Sequence, residues 1–486
     1  MDTLIILLFV IPLMGVVLAA FGRSSQADRL ALPAISATLI VLLLLLATAD
    51  LATPVVRVAI SWNWLQDMQP PLSFGYQLDP LSWLLLTVVV VLGFLVFIFS
   101  RTYLSDQNKE HPDAEGKARH HAWLMLFVVA MIGVAVSPNL LQLFFFWETT
   151  TLCSWALISH YRNAESLRAG FKALLMTFGG GIFFALGLVL LFAQTRSFEF
   201  SALRDLPQTW RFWVFGCFAV AAWAKSAQVP FFTWLPDAMA APTTVSMYLH
   251  AAAMVKAGVF LIARLTLANQ ELSFGAGVLL AVMAVVTMIT ALLLFFYQND
   301  LKRLLAYSTI AHLSYVLFGL GLGVMGSGLG WYAGVMHIMN HSAAKGLLFL
   351  CVGAVSYKAG TRQISELSGL ARTAPLIAGA FFVGMLALLG VPPFSCFYSK
   401  FYLLTAAVNL GGVAGFTLLI PFILEMVVAF AWFLHIGHKV FFGPVSESAG
   451  RAANPPLSMS VVLILLMLLT LAAPYFALHL MRCIGM

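Results

Sequence analysis

Four lysines and two glutamates, Lys225, Lys256, Lys345, Lys400, Glu148 and Glu425, lie inside stretches that are otherwise almost continuously apolar. An ionisable side chain at a bilayer centre costs at least about 2.5–3.5 kcal/mol, so all six are expected to face partners or water. Glu148 follows a run of apolar and aromatic residues and precedes three threonines. Desolvation favours its neutral acid and a nearby ammonium favours the carboxylate, which would let it exchange a proton. The alternative is a carboxyl that pins two helices together by hydrogen bonds. Lys225, in Ala-Ala-Trp-Ala-Lys-Ser-Ala-Gln-Val-Pro, is its natural partner, and the two would form a proton gate.

His337, His341 and Lys345 recur at i, i+4 and i+8, drifting about 40° per step on a helix, so they form one stripe. With Asn340 and Ser342 beside them they read as a proton relay. Zinc is a competing reading, although no Cys or carboxylate accompanies the stripe. His250 and Lys256, six residues apart, would point about 120° apart and roughly 9 Å along one helix, bracketing a water-filled path. His312, among Ser308, Thr309, Ser314 and Tyr315, would link that path to the stripe. Glu425 is either the last carboxylate in the series or a structural partner for His435 or for a neighbouring protein. His435 and His438 read as a solvated helix end.

Pro230 follows Lys225 and removes the amide that would bond the Ser226 carbonyl; Pro392 and Pro393 precede Lys400 and free the carbonyls of Leu388 and Leu389. Either could be an ordinary kink beside a snorkelling lysine. The two together point to an inverted repeat with the ion site at the breaks.

These residues must be held by helices. Of 486 residues, 62% are hydrophobic and 9% charged, far from the balance of a soluble domain. The continuous apolar runs exclude a β-barrel. No polar stretch offers room for a separate soluble domain, which excludes a self-contained cytosolic enzyme, a nucleic-acid binder and a built-in nucleotide or flavin module. Fourteen spans are expected, at 3–22, 30–52, 80–100, 121–137, 139–160, 169–194, 212–229, 243–266, 273–298, 304–325, 329–356, 374–407, 412–442 and 457–480. The fold class is an all-α polytopic membrane protein with two inverted five-helix repeats and two discontinuous helices. Residues 1–120 form an N-terminal three-helix segment, 121–266 the first half, 267–442 the second and 443–486 a C-terminal helix. Leu4–Phe21 lacks the basic flank of a signal peptide and is kept as the first span. With both termini outside, 16 Lys and Arg fall in inner loops against 6 in outer segments, which places the termini in the periplasm of a bacterial inner membrane. The net charge of +7 is therefore mostly topology. Cys153, Cys217, Cys351, Cys396 and Cys483 show no metal-binding spacing.

The chain resembles the antiporter-like subunits shared by respiratory complex I, the Mrp-type cation/proton antiporters and the energy-converting hydrogenases. The resemblance rests on Phe-Trp-Glu at Glu148, Ala-Lys-Ser-Ala-Gln-Val-Pro-Phe-Phe-Thr-Trp-Leu-Pro-Asp-Ala-Met at 224–239, Ala-Pro-Thr-Thr-Val-Ser at 241–246 and His-Ala-Ala-Ala-Met-Val-Lys-Ala-Gly at 250–258. Asp-Leu-Lys-Arg-Leu-Leu-Ala-Tyr-Ser-Thr-Ile at 300–310, the His337–Lys345 stripe and Gly-Val-Pro-Pro-Phe with Ser-Lys at 390–400 complete it. Segments 103–112, 153–159 and 399–401 look most like the D subunit of hydrogenase-4-type formate hydrogenlyase. Ala311-His312 departs from the family, which more often has small polar residues and Gln there. With its fourteenth span the last, the chain is expected to lack the long lateral helix of the largest complex I member.

The resemblance implies a proton-translocating module with no redox centre or other cofactor of its own. A NiFe centre and iron–sulfur clusters would sit in peripheral hydrogenase and iron–sulfur subunits, and further antiporter-like and small membrane subunits would flank it in the lipid bilayer. Glu148 and Lys225 would be the gating pair; Lys256, His250 and the stripe the central axis; Lys400 the outer exchange point. The alternatives are a component of a sodium/proton antiporter and a scaffold that does not pump.

Overall fold

The structure, a computed structural model, describes residues 1–62 and 72–484. Lipid offers the backbone no hydrogen-bond partner, so spanning segments must satisfy their amides internally, and the apolar runs are helices. The first two are α1 (Asp2–Phe21) and α2 (Ala27–Thr48). Between the expected spans 30–52 and 80–100 the chain departs from the all-α expectation and forms an antiparallel hairpin, β1 (Val55–Trp62) and β2 (Leu72–Leu78). Gly75 is required there, because a Cβ would collide with the Arg57 carbonyl oxygen. Gln142 clamps the hairpin, accepting from the Gly75 amide at 3.0 Å and donating to its carbonyl at 2.9 Å.

Next come α3 (Pro80–Tyr103), α4 (Lys117–Val136), α5 (Leu140–Ile158), α6 (Ala164–Thr195) and α7 (Gln208–Lys225). A single turn, α8 (Trp234–Asp237), leads to α9 (Thr243–Ala251) and α10 (Met254–Ala268). The second part contains α11 (Phe274–Phe295), α12 (Leu301–Val324), α13 (Gly328–Ala359), the turn α14 (Leu370–Thr373), α15 (Pro375–Leu389), α16 (Ser395–Leu410) and α17 (Gly412–Phe441). The turn α18 (Glu447–Gly450) precedes α19 (Leu457–Ile484). Helix starts follow capping chemistry: Asp79 accepts from the Ser82 amide, Asn139 from Gln142, Asn163 from Ser166, and Asp300 from Lys302 and Arg303.

Among the described residues, eleven segments are long and apolar enough to cross a membrane. The other three expected spans are helical yet fall short. Gln142, Glu148 and three threonines make α5 more polar, Gln208, Arg211 and Lys225 do the same for the 18 residues of α7, and 374–407 divides into α15 and α16, of 15 and 16 residues. The expected span 243–266 also breaks, at Ala252 and Ala253. The most apolar stretches of α12 and α13 are wholly enclosed, whereas α1 and α17 expose most of theirs. Exposed Ile6, Met14, Leu424 and Val427 face outward, and the polar side chains collect on the enclosed helices. This is the reverse of a soluble globule, as a lipid solvent requires.

Candidate functional site

Lys225, the last residue of α7, is fully buried. Its ammonium donates to the Trp147 carbonyl at 2.8 Å and to Thr151 Oγ1 at 2.6 Å, and lies 4.8 Å from the centre of the Trp147 ring. All three contacts belong to α5, the helix of Glu148. No direct ion pair joins Lys225 to Glu148: two of the three ammonium donors are directed to Thr151 and the Trp147 carbonyl. Glu148 Oε1 is buried without a hydrogen-bond partner. Gly181 of α6 leaves it room, since a Cβ there would overlap Oε1.

The break after α7 is held by a residue that charge accounting overlooked. Gln228 Nε2 donates at 2.9 Å to the Ser226 carbonyl, the one that Pro230 leaves open, and Gln228 Oε1 accepts from Ser314 Oγ of α12 at 2.8 Å. A buried amide two residues before a helix-breaking proline is the signal that could have found it.

The interruption at Ala252 and Ala253 puts His250 on α9 and Lys256 on α10, so the angle and rise of one straight helix do not relate them. Lys256 Nζ reaches His341 Nδ1 at 2.6 Å. The His341 ring packs on His312 with centroids 5.1 Å apart, and His312 Nδ1 lies 3.0 Å from His337 Nε2. His337 Nδ1 meets Ser399 Oγ at 2.8 Å, next in sequence to Lys400. Helices α10, α12, α13 and α16 thus bring Lys256, His341, His312, His337 and Ser399 into one buried line. Lys345 turns aside to α12, donating to the Leu305 carbonyl at 2.8 Å and to Ser308. His250 packs against Phe349, centroids 4.7 Å apart, with neither ring nitrogen bonded to protein.

Lys400 donates to the Leu389 carbonyl at 3.2 Å and sits 5.2 Å from the Tyr315 ring centre. Tyr315 donates to the Glu425 carboxylate. Glu425 is thus hydrogen-bonded to Tyr315 and not to His435, which lies against Trp432 instead. Lys302, counted as an inner-loop residue in the sequence, is buried in the first turn of α12 and donates to the Met239 and Ala241 carbonyls at 2.9 and 2.6 Å. Arg264, counted outside, is buried on α10 and paired with Asp79. Beyond Met239 opens a cavity of about 1020 Å³ lined by Glu165, Lys172, Asp237, Asp300, Arg303 and Arg362. Burial of the Arg362 guanidinium works against its charge, but Glu110 and Asp300, at 2.8 and 2.6 Å, hold its pKa above the ordinary value.

A Cys does accompany the histidines, contrary to the sequence expectation. The ligand atoms of His312, His337 and Cys396 all lie within 4.8 Å of one another. The two imidazole rings already face each other, His312 Nδ1 lying at hydrogen-bond distance from His337 Nε2.

Residues 137–425 match the family described as NADH:quinone oxidoreductase/Mrp antiporter, TM. The chain belongs to this family. Residues 64–111 match a second family, described as NADH-Ubiquinone oxidoreductase (complex I), chain 5 N-terminus. The chain is 36% identical over 360 residues to the chloroplastic NAD(P)H-quinone oxidoreductase subunit 5 of Anthoceros angustus, covering 70% of this chain and 47% of that one. It is 32% identical over 487 residues to the A/B component of a probable K(+)/H(+) antiporter of Rhizobium meliloti (strain 1021), covering 96% and 46%. The chain thus spans about half the length of the curated relatives it matches. Among solved structures, the Mrp complex from Dietzia sp. DQ12-45-1b superposes with a TM-score of 0.85 at 26% identity, over 99% of this chain and 52% of that one. An archaeal membrane-bound sulfane sulfur reductase shares the fold with a TM-score of 0.85 at 23% identity, over 99% and 95%.

Proposed function

We propose that this protein is a proton-translocating member of a multisubunit membrane complex, moving protons through its buried Lys and His residues in response to events in partner subunits. The observation that carries this reading is the line from Lys256 through His341, His312 and His337 to Ser399. Groups that can both take up and release a proton stand there at hydrogen-bond or ring-contact distance, in a region where embedding any one of them is costly. Glu148 and Lys225 act as the gate, opening and closing as the ammonium moves between Thr151 and the unpartnered Glu148 oxygen. Lys256, His250, His312, His337, His341 and Lys345 form the axis between the halves 121–266 and 267–442, and Lys400 with Glu425 exchanges with the outer side. The breaks at Pro230 and at Pro392 and Pro393 supply the polar backbone that anchors it.

The host complex we propose is of the hydrogenase type, resembling formate hydrogenlyase, with the NiFe centre and iron–sulfur clusters in partner subunits; segments 103–112, 153–159 and 399–401 support it. An Mrp-type cation/proton antiporter is the second reading, favoured by the relationship to the Rhizobium antiporter. Proton uptake by the whole complex in proteoliposomes tests the function, comparing wild type with Glu148→Gln, Lys225→Met and Lys400→Met. Undiminished uptake in all three variants would overturn it. Sodium-dependent exchange in the same vesicles would decide for the antiporter.

A further inference from the structure

A second group of buried titratable side chains lies away from this axis, at the face that carries the loops rich in Lys and Arg. His120 and His121, consecutive in the first turn of α4, are both fully buried. His121 Nε2 lies 3.0 Å from Asp28 Oδ1, the two Nδ1 atoms of His121 and His120 are 3.1 Å apart, and His120 Nε2 lies 3.0 Å from Thr244 Oγ1. Asp28 is partly exposed and also accepts from Lys117 at 2.9 Å. Thr244 is buried in the first turn of α9, the helix of His250, three residues after Ala241, whose carbonyl holds Lys302.

With Asp28 ionised and both rings neutral, the hydrogen bonds fix one another's direction. The Asp28 carboxylate can only accept, so His121 Nε2 carries a proton and donates to it. Neutral His121 then accepts at Nδ1 from His120, and neutral His120 accepts at Nε2 from the Thr244 hydroxyl. Every donor points toward the surface carboxylate. A proton arriving at Thr244 therefore passes outward by successive transfers, each breaking one O–H or N–H bond and forming the next, until Asp28 is protonated. Inward passage requires the three groups to reverse their donor roles first.

The other charged and titratable groups facing His120 are His160, Lys117 and Arg119. The His160 ring meets it edge-on at 5.5 Å, and His160 donates to Asp113 at 2.6 Å. The Asp113–His160 pair flanks the series without a hydrogen bond into it.

We propose that Asp28, His121, His120 and Thr244 form a proton port joining the basic face to the start of α9, separate from the central relay. Its cargo is the proton and not a metal cation, because the series offers imidazole nitrogens in single file and no cage of oxygens. The inference rests on the proton-translocating reading above. The test uses the assembled complex in proteoliposomes containing a pH-sensitive dye, with proton movement driven by an imposed potassium diffusion potential. His120→Gln can keep both hydrogen bonds but cannot relay a proton, and Asp28→Asn removes the surface acceptor. Each is expected to lower the initial rate about tenfold or more, with assembly and melting temperature close to wild type, while Asp113→Asn stays within about twofold. Should one of the two variants fail to assemble, the other decides. Wild-type rates in the assembled variants overturn the port and leave the central relay standing. A wild-type complex that moves no protons overturns both.

Discussion

The Lys400 ammonium donates to the carbonyl of Leu389 at 3.2 Å, and Pro393 is the residue whose missing amide deprives that carbonyl of its helical partner. The Ser226 carbonyl, left open by Pro230, is taken by Gln228 in the same way. At both breaks a freed backbone acceptor anchors a long polar side chain next to the proposed path.

Lys400→Met should therefore separate transport from stability. The Leu389 carbonyl loses its partner, which costs about 1–3 kcal/mol, while removal of a buried ammonium offsets part of that. Proton uptake per assembled complex is expected to fall about tenfold or more, with a modest drop in melting temperature. A variant that pumps normally would remove Lys400 from the path.

Two glycines of α6 offer a paired comparison. A Cβ at Gly181 would overlap Glu148 Oε1, whereas one at Gly179 meets nothing within 4 Å. Both substitutions to Ala gain about 1 kcal/mol of helix propensity. Gly179→Ala should be neutral or stabilising with unchanged transport, and Gly181→Ala should displace the carboxylate and slow transport. Equal rates in the two variants would argue against a gating position for Glu148.

Arg264 and Asp79 form a buried ion pair whose carboxylate also caps α3. Removing one partner leaves an unpaired buried charge at a cost of about 3–5 kcal/mol. Arg264→Met is expected to lower the melting temperature in detergent well below that of Lys400→Met, while the surviving folded complex transports at the wild-type rate. A transport defect without loss of stability would show that the pair belongs to the path.

Asp113 gives the basic face a defined acid sensitivity. Burial raises the pKa of its carboxyl, but hydrogen bonds from His160 and the Gly116 amide outweigh this and hold it below the usual carboxylate range. Its folded pKa is thus below the unfolded value near 3.9. The stability it contributes is fully present above about pH 3.9 and is lost as pH falls through the folded pKa. Melting temperatures of wild type and Asp113→Asn should differ at pH 6 and converge as the pH drops below about 4; a gap that persists under acid would contradict the assignment.

Composition and charge cost were enough to read helices, embedded charges and the two proline breaks, because lipid solvation acts on each residue separately and leaves its mark in the linear pattern. The same logic placed His337 and His341 on one face, since both sit on the unbroken helix α13. It failed where the outcome depends on a neighbour. The break at Ala252 and Ala253 has no Pro or Gly to announce it. Lys302 looked like a loop residue, yet the Met239 and Ala241 carbonyls draw it inside.

The sequence by itself determined that this chain lives in a membrane, that its helices carry costly charges, and which residues those are. Only the tertiary structure decided how they are paired. Lys225 bonds Thr151 instead of Glu148, Glu425 takes Tyr315 instead of His435, and His312 joins His341 to His337 across two helices. Desolvation is a property of a residue and its apolar surroundings and can be read along the chain. A hydrogen bond needs two atoms within about 3 Å, and that distance is fixed by the packing of helices far apart in sequence.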